Sequence, residues 1–256
     1  MRPAVASWIL LGVLSLGVGG TSAGAATRHE LKGAVQAQPS LSVLPVVPCT
    51  TTYGAGSPPS PFVARKLPTT TSIPDLSFYS NGRITVLGPA GWTCGALVAA
   101  DGGQRLDVYP PGKPDYSIMA APKGAELIEI QVDYTGHGPG EALVCPLFPG
   151  SAVAPVPKES GYRCQKATKE RTEQLTPDVV AFTDPPDVTG SGTGSGGSLT
   201  SVGTAVYPQL SGGSGASVNV SLLSCTLPRS DLSVCRAIEG DYLVRNAPLY
   251  IPQSSS

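Results

Sequence analysis

The sequence predicts an all-β fold, mainly antiparallel sheet or sandwich, with long loops, at most one or two short helices, and disulfide bonds. Of 256 residues, 31 are Gly and 26 are Pro, and both residue types are unfavourable inside helices. Only 14% of the residues are charged, against about 25% in an average globular protein. Several short segments alternate apolar and polar residues, as strands do. A helical bundle or coiled coil is therefore excluded.

The first predicted strands lie at 83–87, 92–98 and 105–109. In the third, Leu106 and Val108 share one face, because successive side chains of a strand point to opposite sides. Residues 101–103, Asp-Gly-Gly, are a strong reversal signal. The second and third strands are therefore predicted to form a hairpin.

Three later strands are predicted at 126–134, 179–182 and 217–223. In the first, Ile128 and Ile130 share one face while Glu129 lies on the other. In the last, Leu222 points inward and Ser221 outward. Such alternation is typical of antiparallel sheet with one face in water, so Glu129 and Ser221 are expected to face solvent.

One segment near the end of the chain has helical spacing. Leu232, Cys235 and Ile238 fall three residues apart, which places them on one side of a helix. A short helix or turn is therefore predicted before Tyr242.

The first 25 residues have the pattern of a signal peptide. Arg2 is followed by the apolar run WILLGVLSLGV and by Ala23-Gly24-Ala25, a small-x-small cleavage site. The run is shorter than the roughly 20 apolar residues that span a bilayer. We therefore predict a secreted, extracellular protein, free or associated with the cell wall, without stable membrane insertion after the signal is removed.

An even number of cysteines in an exported chain predicts disulfide bonds. No Cys-x-x-Cys pair is present, so a zinc site has little support. The sequence permits several connectivities, and we predict that each cysteine pairs with its nearest neighbour in order. The predicted bridges are Cys49–Cys94, Cys145–Cys164 and Cys225–Cys235.

Composition divides the remaining chain. Residues 26–75 form a predicted extended arm rich in Thr and Pro, and residues 76–256 a single β-rich domain. A flexible Gly/Ser loop is predicted at 189–200, with the composition of a linker. The segment after it is short for an independent core, so strands on both sides of the loop are expected to belong to one domain.

No complete catalytic set is recognisable. The two histidines are His29 and His137, and Gly212–Ala216 lacks the final Gly of a G-x-S-x-G nucleophile motif. Glu129 and Asp133 lie on one face of a strand about 13 Å apart, too far for a glycosidase pair, which needs about 5–9.5 Å. No catalytic, cofactor-binding or metal-binding residue and no cofactor is predicted.

The charge of the sequence does not favour nucleic-acid binding. The formal net charge of −1 includes Arg2 of the signal peptide, so the mature chain is slightly acidic, and nucleic-acid binding is not expected. In the densest basic cluster, acidic residues alternate with basic ones, which predicts a solvated face of mixed charge. Its members are Lys166, Lys169, Glu170, Arg171 and Glu173.

The segment Asn81–Cys94, NGRITVLGPAGWTC, resembles a block, NGRxxVLxPAGWxC, shared by a group of uncharacterised secreted actinobacterial proteins. The resemblance covers about residues 76–245. It implies an exported protein of a Gram-positive organism. The group has no assigned activity, so it implies no site residues.

The sequence therefore favours a non-enzymatic binding or interaction module, secreted or associated with the cell envelope. Its partner would be an unidentified extracellular or cell-wall component. The alternative is a secreted hydrolase with a dispersed carboxylate or Ser/His site, for which Glu129 and His137 are the residues to test.

Overall fold

The computed structural model describes residues 42–54, 66–69, 71, 73–100, 102–132, 144–148, 166–207 and 220–250, the side chains of 246–250 excepted. These residues belong to one compact unit, Pro39–Ser256. Its strands are β1 (Ser42–Leu44), β2 (Val46–Pro48), β3 (Thr50–Tyr53), β4 (Leu67–Thr69), β5 (Leu76–Ser80), β6 (Thr85–Pro89), β7 (Thr93–Val98), β8 (Gln104–Tyr109), β9 (Leu127–Val132), β10 (Arg171–Thr176), β11 (Val179–Asp184), β12 (Thr200–Val206) and β13 (Ser221–Leu227). Short 3-10 helices span Tyr116–Ile118 and Arg229–Asp231, and the α-helix α1 spans Leu232–Tyr250.

Eight strands form the main sheet, in the order β10-β11-β12-β13-β9-β8-β7-β3. All neighbouring strands in it are antiparallel except β3 and β7. The predicted hairpin is the β7–β8 pair. A three-stranded sheet, β2-β5-β6, and the pair β1-β4 complete the architecture. The predicted fold class is confirmed.

Helix α1 covers one face of the main sheet and contacts β6, β12 and β13. Cys235 and Ile238 are buried against it, as the spacing indicated, and Tyr242 is buried there as well. The Thr204 hydroxyl on β12 donates a hydrogen bond to Glu239 Oε1 at 2.6 Å. The helix has 19 residues and extends past Tyr242, further than predicted, because packing on a sheet stabilises helix that local propensity does not reveal.

The opposite face of the main sheet is also covered, so the expectation of a wet face is wrong. Ser221 lies on the α1 face, where it is 2% exposed and forms a hydrogen bond with the Tyr242 hydroxyl of the helix, so neither face of β13 is exposed to solvent. Glu129 is 1% exposed. The strand predicted at 217–223 is Ser221–Leu227, and residues 217–219 lie outside the described residues. The second face packs on its own apolar cluster, Val144, Leu147, Phe148, Val180, Phe182, Ala205, Tyr207, Val220 and Leu222.

Two predicted disulfides are present, Cys49–Cys94 and Cys225–Cys235. The first joins the predicted arm to the body, beside the parallel pairing of β3 with β7. Cys145 is also disulfide-bonded, and its predicted partner, Cys164, lies outside the described residues. Disulfides of this kind are typical of proteins in oxidising, extracellular environments.

Candidate functional site

The face of the main sheet opposite α1 carries a band of polar side chains, here called the polar face. Because side chains alternate along β13, Cys225 points toward α1, and its neighbours Ser224 and Thr226 point to the other side of the sheet. Register then aligns these with polar residues of β8, β9, β11 and β12. The polar face consists of Asp107, Glu129, Ser224, Thr226, Ser201 and Asp184, all buried.

Arg105, Asp107 and Glu129 form an ionic triad on this face. Arg105 Nη2 lies 2.9 Å from Asp107 Oδ2 and 2.6 Å from Glu129 Oε2, while Nε donates a hydrogen bond to Asp107 Oδ1 at 3.2 Å. The Nη2 contacts are ion pairs, in which charge attraction holds the groups together. Burial and then the Glu129 charge raise the pKa of Asp107 well above its ordinary value, against the influence of Arg105. Burial in the fold thus disfavours the ionised form of Asp107, and the positive charge of Arg105 offsets part of this cost.

Glu170 and Asp184 form a second cluster, the carboxyl pair. Their side chains are buried, at 5% and 0% exposure. Asp184 Oδ1 lies 1.9 Å, and Glu170 Oε2 2.6 Å, from the position that a Cβ on Gly190 would take, so the two groups converge. Burial raises the pKa of Asp184 to about 7; the Gly192 N–H lowers it, and Glu170 raises it further. At neutral pH Asp184 therefore lies close to its titration point.

Residues 185–199, which include most of the predicted Gly/Ser loop, form a covering loop over the polar face. The Gly192 N–H donates to Asp184 Oδ2 at 2.8 Å, and the Ser191 N–H donates to Glu170 Oε2 at 2.6 Å. Each member of the carboxyl pair therefore holds one backbone amide of the loop.

Thr193 anchors the centre of the covering loop. Its hydroxyl donates to Glu129 Oε1 at 2.6 Å, and its carbonyl accepts a hydrogen bond from Thr226 Oγ1 at 2.6 Å. A Cβ on Gly192 would lie 2.5 Å from the Ser201 Cβ, so glycine here permits close approach to the sheet. The Gly/Ser composition thus has a packing role.

These carboxyl groups are sealed from solvent in the structure. A general acid or base must come within hydrogen-bond reach of its substrate, and the four side chains are at most 5% exposed. Within the described ranges, no group of three or more His, Cys, Asp or Glu residues could hold a metal ion. Asp133, His137, His29 and the Gly212–Ala216 segment lie outside the described residues.

The predicted solvated face of mixed charge needs one correction. Lys169, Arg171 and Glu173 are exposed as expected, but Glu170 is buried. It lies beside Asp184, under a loop that comes from a later part of the chain. The sequence signal for Asp107 and Asp184 is a carboxylate in or after a strongly apolar strand segment, as in Leu106-Asp107-Val108, which indicates burial only once both faces are known to be covered. Glu170 has charged neighbours on both sides and carries no such signal.

A cleft of about 240 Å³ opens beside the start of α1. Thr183 lies opposite Arg171 in the β10–β11 register, and Arg229 approaches from the 3-10 helix. Neither arginine forms an ion pair within the described part of the chain, and no carboxylate lines the cleft. This arginine cleft is lined by Arg171, Thr183, Pro185, Pro186, Thr200, Arg229 and Leu232.

A second cleft, of about 290 Å³, contains Lys113 and Lys123 beside Tyr116. Glu126 also lines it, so a carboxylate partly balances the two ammonium groups. The arginine cleft therefore has the less compensated positive charge and is the stronger candidate for an anion site.

No family model, curated protein or solved structure matches this chain. None of the described helices is long and apolar enough to cross a membrane.

Proposed function

We propose that the protein is an exported, non-enzymatic binding module that holds a carboxylate or phosphate group of its ligand in the arginine cleft. The observation that carries this proposal is the convergence of Arg171 and Arg229 on a cleft that no carboxylate of the described residues lines. The chain has few charged residues, so two uncompensated guanidinium groups in one cleft are a distinctive feature.

The chemistry of the cleft suits an oxyanion. Guanidinium groups present paired N–H donors that match carboxylate and phosphate oxygens. Thr183 and Thr200 supply hydroxyl donors, and Pro185 and Pro186 supply an apolar wall. Cavities that enclose a drug-sized ligand measure about 300–1,000 Å³, so this smaller cleft suits one unit of a larger molecule.

An extracellular polyanion of the cell envelope meets these requirements. The Cys49–Cys94 and Cys225–Cys235 disulfides support an oxidising location. The signal-peptide pattern at 1–25 and the resemblance carried by Asn81–Cys94 support export from a Gram-positive cell.

The test is binding to immobilised long-chain polyphosphate and polyglutamate, with neutral dextran as the reference surface. The Arg171→Gln/Arg229→Gln variant is expected to bind at least about tenfold more weakly, because a hydrogen bond to a charged group contributes about 1.5–3 kcal/mol. Arg83→Gln is the matched control, since Arg83 is exposed and does not line the cleft. Native-like binding by the double variant, or no binding by the native protein to either polyanion, would overturn the proposal.

The alternative, a secreted hydrolase, is favoured by one observation. Strongly raised pKa values of Asp107 and Asp184 are a feature of catalytic carboxyl groups, although catalysis would require the covering loop to open. The protein should be assayed against ester, glycoside and peptide substrates. Turnover that Glu129→Gln or His137→Ala abolishes in a folded protein would establish the hydrolase; absence of turnover favours the binding module.

A further inference from the structure

The two buried groups of the carboxyl pair would repel each other if both were ionised, and one bound proton would remove this repulsion. Asp184 and Glu170 are almost completely buried, and neither forms an ion pair with a described residue. Two like charges in a buried site cannot both be maintained at low cost. Asp184 Oδ1 and Glu170 Oε1 receive no hydrogen bond from the described residues. A proton held between the two groups would supply the missing donor.

The described residues around the pair offer no other compensation. The two loop amides, from Gly192 and Ser191, bind the remaining faces of the pair. Charged side chains on the elements packed around it are Lys169, Arg171, Glu173, Asp187 and Glu129. The first four are exposed, and Glu129 is held in the ionic triad.

The residues of the carboxyl pair are sequence neighbours of residues that line the arginine cleft. Glu170 immediately precedes Arg171, and Asp184 immediately precedes Pro185 and Pro186, which line the cleft. The two carboxyl side chains lie on the polar face, whereas the cleft opens on the side of α1, because neighbouring strand residues point to opposite faces. A second negative charge at the pair is therefore expected to reach the cleft through the covering loop, to which the two prolines belong.

We propose that Asp184 and Glu170 form a proton site that regulates the arginine cleft. With the proton bound, the covering loop stays seated and the cleft retains its anion. When the proton leaves, the two carboxylates repel, the covering loop loosens, and the displacement of Pro185 and Pro186 from the cleft wall weakens anion binding. This regulation rests on the proposed function of the cleft, whereas the proton site itself is a separate property of the fold.

The binding measurement compares the affinity for long-chain polyphosphate at about pH 6 and about pH 8. Internal phosphates of this polymer stay ionised over that range, and arginine does not titrate there. The native protein is expected to bind at least about fivefold more weakly at the higher pH, the lower end of common coupling factors. Glu170→Gln and Asp184→Asn, each with one neutral amide in the pair, are expected to lose this dependence. Glu173→Gln, on the exposed side of β10, is the matched control and should keep it.

A second measurement detects the proton site without any anion. Folded Asp184 has a pKa of about 7 against an ordinary value of 3.8, so the stabilisation that its proton provides is complete below the ordinary value and is lost as pH rises through 7. Urea midpoints and amide exchange of residues 187–197, corrected for intrinsic rates, should show this loss in the native protein and in Glu173→Gln. Both pair variants should show a flatter profile.

The outcomes separate the two proposals. Failure to bind polyphosphate at either pH, with the stability profile as expected, overturns the anion site but retains the proton site. Identical pH profiles in the native protein, Glu170→Gln and Asp184→Asn overturn the proton site. Pair variants that keep the native pH dependence of affinity overturn the regulation.

Discussion

Replacing Arg105 with Met removes the cation of the ionic triad and leaves Asp107 and Glu129 buried together. Both carboxyl groups are at most 1% exposed, and they lose ion-pair contacts of 2.9 and 2.6 Å and a hydrogen bond of 3.2 Å. Breaking a buried ion pair from one side costs about 3–5 kcal/mol. A domain has about 5–15 kcal/mol of stability, so Arg105→Met should lose a large part of it. Met retains much of the side-chain volume, so the loss reports charge more than packing.

The size of this loss should depend on pH. Burial and then the charge of Glu129 raise the folded-state pKa of Asp107, and Arg105 lowers it. For a carboxyl group with a raised folded-state pKa, stability is greatest below the unfolded pKa and falls as pH rises through the folded one. Without Arg105 that folded-state pKa moves higher still. Arg105→Met should therefore lose less stability at about pH 5 than at about pH 8.

Urea unfolding followed by circular dichroism measures both effects, from the midpoint and the slope. Arg83→Met, at an exposed position, is the control and should stay within about 0.5 kcal/mol of the native protein. Adding Glu129→Gln to Arg105→Met should recover part of the loss, because one buried charge is removed. A loss below about 1 kcal/mol, or the same loss at both pH values, would refute the assignment of Arg105 as the compensating charge.

Three further predictions concern the rest of the molecule. Gly203→Ala should cost about 1–3 kcal/mol, because a Cβ would lie 2.1 Å from a backbone carbonyl oxygen of β13; an unchanged urea midpoint would contradict this. Replacing Cys49 and Cys94 with Ser should lower the free energy of unfolding by about 4 kcal/mol through chain entropy, since the bridge spans 45 residues. A decrease of only a few tenths of a kcal/mol would mean that strand pairing alone holds the arm. Tyr109 should ionise only near pH 12 in ultraviolet titration, because burial first and then neighbouring acidic groups raise its pKa to about 12. The stabilisation that the protonated Tyr109 phenol gives to the fold is complete below its ordinary pKa of 10.0 and is lost as pH rises toward 12. Ionisation of Tyr109 close to pH 10.0 would contradict this prediction.

Local patterns predicted several of the strands, because alternation along a strand is itself a local property, but not β12 in the middle of the main sheet. The β7–β8 hairpin follows from two alternating segments around an Asp-Gly-Gly reversal, and both members were located within about two residues. The Cys225–Cys235 bridge was predicted because the two cysteines are nearest neighbours in sequence, 10 residues apart. The end of α1 was missed, since the contacts that extend it come from strands distant in sequence.

The carboxyl clusters could not be located by the same reasoning. Alternation indicates that Glu129 lies opposite Ile128 and Ile130, but it carries no information about what covers that side. The covering loop decides this, and its Gly/Ser composition predicted only an irregular segment. Glu170 shows the same difficulty, because its neighbours in sequence are exposed and its partner Asp184 lies on another strand.

Local sequence is sufficient to predict the class of fold, several of its strands and two of its bridges, because hydrophobic period, turn residues and cysteine spacing act over short stretches of chain. The tertiary structure alone decided which polar side chains are buried together and which arginines share a cleft. Strand register and the path of the covering loop bring residues from five strands and a distant loop into contact. Burial then changes the electrostatics of those residues in a way that no single segment contains.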